Sequence, residues 1–292
     1  MPLLSREIRL RAVINLYRNQ ENNRKMATKK YINLLQSHEP LMDAGDYEIT
    51  VQQTLKAGKN VNEAFAATVR KFSVFGERFV LEPDSVHSVY PPEGSQGEHS
   101  NHFPHIILNR STLPWERSVD GERAGIWLAL LLFDETENPV IKNISLGEFK
   151  TSLNFKNPPV PPATGTGPFH ELGDGPDDQP ISVIDVKRSV LEKIMPSRAD
   201  MEFTAHSRRE STNAPKKDGN NKRAKVDLIG PERAVLIGNR LPKVNAISTV
   251  HLVSLEGRFA DKSKGGAFDY GIGTQPDGTI RLVSLKSWSF AS

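Results

Sequence analysis

The sequence predicts a mainly β fold: antiparallel sheets, sandwich or barrel-like, with a few short helices and room for two packed subdomains. Three observations predict it. Short apolar segments alternate with a period of two residues, as half-buried strands do. Glycine- and proline-rich turns separate them, which favours a sandwich or barrel over a βαβ sheet. A heptapeptide at residues 249–255, TVHLVSL, returns at 279–285 as TIRLVSL. One echo is too few for a solenoid, and two like strands joined by a turn-rich connection make antiparallel neighbours.

Residues 1–44 read as a basic helical extension. Ile8, Ala12 and Leu16 form one stripe, and Ser5 is placed to cap it. Glu7 and Glu21 argue against a cleaved presequence, so an amphipathic extension is the expectation. A β-rich domain is expected over 45–156. Tyr47, Ile49 and Val51 alternate with Glu48, Thr50 and Gln52, the pattern of a strand with one covered face. Residues 61–68 read as a short helix or a loop. Residues 72–75 and 78–81 flank Gly76-Glu77 and read as a tight hairpin. A strand is expected at 106–109. The run 126–133 is apolar on both faces and reads as a central strand.

Residues 157–180, with seven prolines and four glycines, read as a linker or surface loop. A second β-rich part is expected over 181–292, opening with a strand at 181–186 and helical turns at 189–194 closed by Pro196. Within it, 206–226 reads as an exposed basic loop.

Charge is unevenly placed. The net charge is +3, yet residues 1–30 carry +6 and residues 206–226 carry +5, leaving −8 on the rest. An acidic body cannot neutralise phosphates across a broad face, so nucleic acid is disfavoured as a partner. The absence of cysteine excludes disulfides and thiolate chemistry. The longest apolar stretch, at 125–133, is about half of the ~20 residues a membrane-spanning helix requires.

Several side chains could carry chemistry. His99, His102 and His105 recur every third residue and could ligate zinc with an open position for water, the basis of a metal-dependent hydrolase. Pro104 breaks a helix there, and a strand would send alternate rings to opposite faces, so only a wrapping loop would bring them together. His206 precedes Arg208 and Arg209, while His251 sits in a strand among core positions. Glu116 and Glu122 could pair as acid and base, and the acidic run at 174–178 could hold calcium, but each reads more simply as solvated charge. No nucleophile elbow, phosphate loop or dinucleotide fingerprint occurs. Lys222, Arg223 and Lys225 fit a basic import signal. Trp115 and Trp288 are candidate interface anchors, and Trp127 reads as core.

The resulting expectation is a non-catalytic binding or assembly module, conceivably the N-terminal part of a larger protein. A protein partner or self-association would serve it, with no cofactor and no membrane span, in the cytoplasm. The alternatives are a hydrolase using zinc at the His99, His102 and His105 cluster, and a nuclear adaptor using the basic signal.

Overall fold

The computed structural model describes residues 31–42, 45–57, 61–74, 76, 78–117, 119, 125–137, 139–151, 175–211, 230–259, 266–270 and 277–292. The fold is mainly β. Two five-stranded sheets form the body, and every pairing between named strands is antiparallel.

The first sheet runs, in spatial order, β1 (Tyr31–Leu35), β11 (Ala205–Ser211), β12 (Glu232–Ile237), β7 (His105–Leu108) and β6 (Val86–Tyr90). The second runs β8 (Leu128–Asp134), β13 (Ile247–Ser254), β14 (Thr279–Ala291), β10 (Pro180–Lys187) and β9 (Val140–Ser145). Strands from either side of residues 157–180 pair within both sheets, since β7 pairs with β12 and β8 with β13. The sheets pack face to face over one core. Ile106, Leu108, Ala234 and Leu236 come from the first sheet; Leu130, Leu132, Val250, Leu252 and Ile280 come from the second. A smaller cluster of Phe79, Leu146, Phe149, Ile181, Val183 and Val283 covers the outer side of the second sheet.

Local sequence explains most of these elements. Each echoed heptapeptide is extended in β13 and β14, and its Val/Ile, Leu and Val positions are buried in both copies. The thirteen residues of β14 divide their ladder, with 279–283 pairing to β10 and 284–291 to β13. Three short helices sit at the margins: α1 (Leu146–Thr151), α2 (Arg188–Ile194) and α3 (Arg198–Thr204). The last begins with a capping box, Ser197 accepting from the Asp200 amide while Asp200 accepts from the Ser197 amide.

Five expectations are corrected. The run at 126–133 is a strand, but β8 lies at the end of its sheet's pairing order rather than at its centre. All seven of its residues are nevertheless buried, and Arg240 donates to the Leu132 carbonyl, so the edge is covered rather than bare. Residues 61–68 are neither helix nor simple loop, because β4 (Val61–Ala64) and the start of β5 (Thr68–Val74) fall there. The hairpin about Gly76-Glu77 does not form. β5 pairs back onto β2 (Gly45–Val51), and Phe79 and Leu81 go into the body's core. Finally, 205–211 of the expected basic loop is strand β11, held because Ala205 and Ser207 are buried between neighbours. The remainder of that loop, at 212–226, lies outside the described residues. So do the expected helix at 1–25 and nearly all of the linker. Residues 31–35 of the expected helical extension form β1 instead, paired with β11.

Among the described residues, no helix is long and apolar enough to cross a membrane.

Candidate functional site

Residues 45–57 and 61–74 form β-ribbon pairs that are distinct from both sheets. β2 pairs with β5, and beyond them β3 (Thr54–Ala57) pairs with β4. Phe65 donates its amide to the Gln53 carbonyl at 3.0 Å, joining the two pairs into one arm. Alternation explains its two unlike faces. Tyr47 lies opposite Phe72, Ile49 opposite Arg70, and Val51 opposite Thr68, so these six share one face. The Tyr47 and Phe72 rings stack, with centroids 5.5 Å apart. On the other face Lys71 pairs with Glu48 at 3.6 Å, and the Thr50 hydroxyl donates to the same carboxylate. The apolar face is open: Ile49 is 52% exposed, Val51 45% and Phe72 38%.

Where the arm meets the body, the chain passes close to other groups at Gly76. A Cβ there would lie 2.9 Å from a Glu116 carboxylate oxygen, and Arg117 donates to the Gly76 carbonyl. Glu116 itself accepts from Arg110 and from the Thr112 hydroxyl, so it is a structural ion pair at the arm's root. Its suggested partner Glu122 lies outside the described residues. Arg117 and Arg78, both buried, share one acceptor: Glu256 takes hydrogen bonds from Arg78 at 2.8 Å and from Arg117 at 3.2 Å. Together these contacts anchor the segment leaving β5.

The three histidines are brought together, though not as ligands. His105 opens β7 and pairs across the ladder with Tyr90, their rings stacked 5.1 Å apart. His99 and His102 meet the same Tyr90 ring edge-on, at 5.9 and 5.7 Å. His99 also hydrogen-bonds the Ser95 hydroxyl and touches Phe290. The phenol ring occupies the centre of the cluster. No three metal-ligating side chains among the described residues stand where one ion could hold them. Burial pushes the His105 imidazole below its usual value, with Arg208 and His102 adding repulsion against a backbone bond to Phe103 that raises it. His206 is lowered similarly, by burial and then by Arg208 and His105.

His251 is a core residue, as its strand position implied. Its Nδ1 bonds the Ser284 hydroxyl at 2.9 Å and its ring meets Phe133 edge-on. Burial depresses its pKa to about 4. Asp185 bridges Arg281 and Lys142 across three strands. Burial pushes its carboxyl up, but hydrogen bonds from those two cations outweigh it and leave the pKa below the usual range.

The tryptophan expectation is overturned. Trp115 and Trp288 are both buried and pack in the main core beside Trp127, so neither is offered to a partner. Trp127 donates its indole N–H to the Leu113 carbonyl at 2.6 Å. Lys222, Arg223 and Lys225 lie outside the described residues. In the acidic run, Asp177 pairs with Lys150 and its carbonyl receives the Gly147 amide, which makes that turn part of the scaffold. A cleft between Arg78, Phe149, Glu256, Arg258 and Arg281 measures about 30 Å³, space for a water. Small-molecule sites run from roughly 300 Å³ upward.

Sequence reasoning found this strand from the alternation of Tyr47, Ile49 and Val51, but not its pairing with β5. Comparison of the chain with protein-family models, with curated proteins and with solved structures finds no match to any of them.

Proposed function

We propose that this chain is a non-catalytic assembly module, a two-layer β body that presents an amphipathic β-arm for docking onto protein. The observation that carries the reading is the exposure of Ile49, Val51 and Phe72 on one face of the arm. Contiguous apolar surface rimmed by polar residues marks interaction sites in soluble proteins, whereas scattered exposed side chains do not. Two-residue alternation suits a strand with one covered face, and Ile49, Val51 and Phe72 on that face are exposed. The opposite face carries the Glu48–Lys71 pair beside an exposed Val69. A cytoplasmic setting accords with a cysteine-free composition.

The test is made in the source cell. Tagged chain should elute from gel filtration of a gentle extract in a larger species. The Ile49→Asp/Phe72→Asp variant should elute at the size of the single chain, with an unchanged circular dichroism spectrum. Identical elution of the two proteins would sink the reading.

A further inference from the structure

We infer that the outer face of the first sheet binds a phosphorylated serine or threonine of a partner protein, its phosphate clamped between Arg208 and Arg233. The site is separate from the arm and goes beyond the assembly reading. The register supplies the argument. β11 and β12 set Arg209 against Glu232 on one rung and Arg208 against Arg233 on the next. Ser207 and Ala234, both buried, mark the inner face, so by alternation Arg208 and Arg233 belong to the outer one. The Arg209 rung is a complete ion pair, and Ser207 donates to the same carboxylate. The Arg208 rung instead places like charges directly opposite, with Cβ atoms roughly 4.5–5.5 Å apart, which weakens a sheet unless an anion joins them. Solvent disperses this charge poorly, because the Arg208 side chain is only 28% exposed. Glu210, on the same face, stays 3.8 Å from Arg208, outside hydrogen-bond distance. Arg233 donates its Nε to Asn109 at 3.3 Å, and among the described residues its terminal nitrogens have no acceptor.

Two guanidinium forks on one rung suit a tetrahedral dianion. A carboxylate has two oxygens, which one fork saturates, whereas a phosphate monoester offers three oxygens and a charge of about −2. His206, two residues before Arg208 on the same face, adds a third donor. Burial, then Arg208 and His105, hold its pKa below the usual value, so near neutral pH it is an uncharged imidazole with one N–H to give. Shape points to a protein as the source. The clamp lies on a sheet face rather than in the kind of cavity that encloses a small ligand. Beside it on β1, Leu34 lies opposite Arg208 and Ile32 opposite Glu210, exposed by 42% and 56%. They offer apolar surface to the residues flanking a phosphorylated side chain. A single clamp also accords with a body too acidic to track a run of phosphates.

Fluorescence anisotropy of a labelled peptide, one phosphoserine flanked by leucines, tests the proposal against the purified full chain at constant ionic strength. The phosphopeptide should bind, and its unphosphorylated form should bind at least roughly tenfold more weakly. Arg208→Gln and Arg233→Gln should each raise the dissociation constant roughly tenfold with an unchanged circular dichroism spectrum. Leu34→Ser should raise it about threefold. Lys71→Gln removes a charge from the arm and should leave it unchanged. The Ile49→Asp/Phe72→Asp variant should bind the peptide as the wild type does, so failure of this site and failure of the assembly reading are told apart. Equal binding of the two peptides, absence of binding by either, or full retention in both arginine variants overturns the proposal. Inorganic phosphate, followed by NMR at the His206 ring, should bind at least roughly tenfold more weakly than the phosphopeptide. Equal affinity would make the ligand a small phosphate ester and overturn the protein source.

Discussion

Strands β13 and β2 carry similar alternating patterns and meet opposite fates. In β13 the side chains of Val250 and Leu252 are fully buried, because the first sheet closes over them. In β2 the side chains of Ile49 and Val51 are exposed, because among the described residues no sheet packs on the ribbon. The difference teaches that alternation specifies a face to be covered without saying whether the cover belongs to the same chain. The body answers internally. The arm, on our reading, answers with another molecule.

Substitutions can break this contrast, and the largest effect belongs to the body. Trp127→Ala removes a fully buried indole and its hydrogen bond to the Leu113 carbonyl, so it should cost about 4 kcal/mol in urea unfolding. Loss of less than about 1 kcal/mol would mean that the core is looser than these contacts imply. Glu256→Ala takes away the acceptor shared by buried Arg78 and Arg117 and should cost about 3 kcal/mol by the same measurement. Because it lies where the arm joins the body, it should also speed proteolysis at residues 75–78.

Protonation offers a third probe. With its pKa near 4 in the fold and about 6.5 in the unfolded chain, His251 takes up a proton on unfolding anywhere between those values. Its share of the stability is therefore intact above pH 6.5, falls as the pH drops toward 4, and amounts to about 3 kcal/mol in all. The urea midpoint should decline over that window in the wild-type chain and decline less in His251→Gln. Equal slopes would show that the imidazole is not the titrating group.

The smallest effect sharpens the comparison from the other side. In dilute protein, Ile49→Ser should change stability by less than about 0.5 kcal/mol, as surface substitutions do. A cost near that of Trp127→Ala would place the arm's face under cover within the chain and dissolve the contrast between the two regions.

The β class was legible because Val250, Leu252, Ile280 and Leu282 repeat at strand spacing between strong turn signals. Partners were less legible. Gly76-Glu77 looks like a hairpin turn, but Phe79 and Leu81 have a core to enter while Phe72 pairs back to Tyr47, and only three-dimensional packing arbitrates between them. The spacing of His99, His102 and His105 pointed away from a cluster unless a loop wrapped them together. It could not reveal that Tyr90, nine residues before the first of them, fills the middle of the cluster. Trp115 and Trp288 misled for a related reason: an indole anchors interfaces and cores equally well, and exposure is a property of the fold rather than of the residue.

The divided ladder of β14 has a consequence for how the protein is made. The β8–β13 and β9–β10 pairs can each form as the chain emerges from the ribosome, yet no hydrogen bond joins one pair to the other. Only when residues 279–291 follow do the two half-sheets become one, through long-range contacts that are slow to find. During vectorial synthesis the β13 and β10 edges therefore wait unpaired, and that interval is when a holdase chaperone would have most to protect.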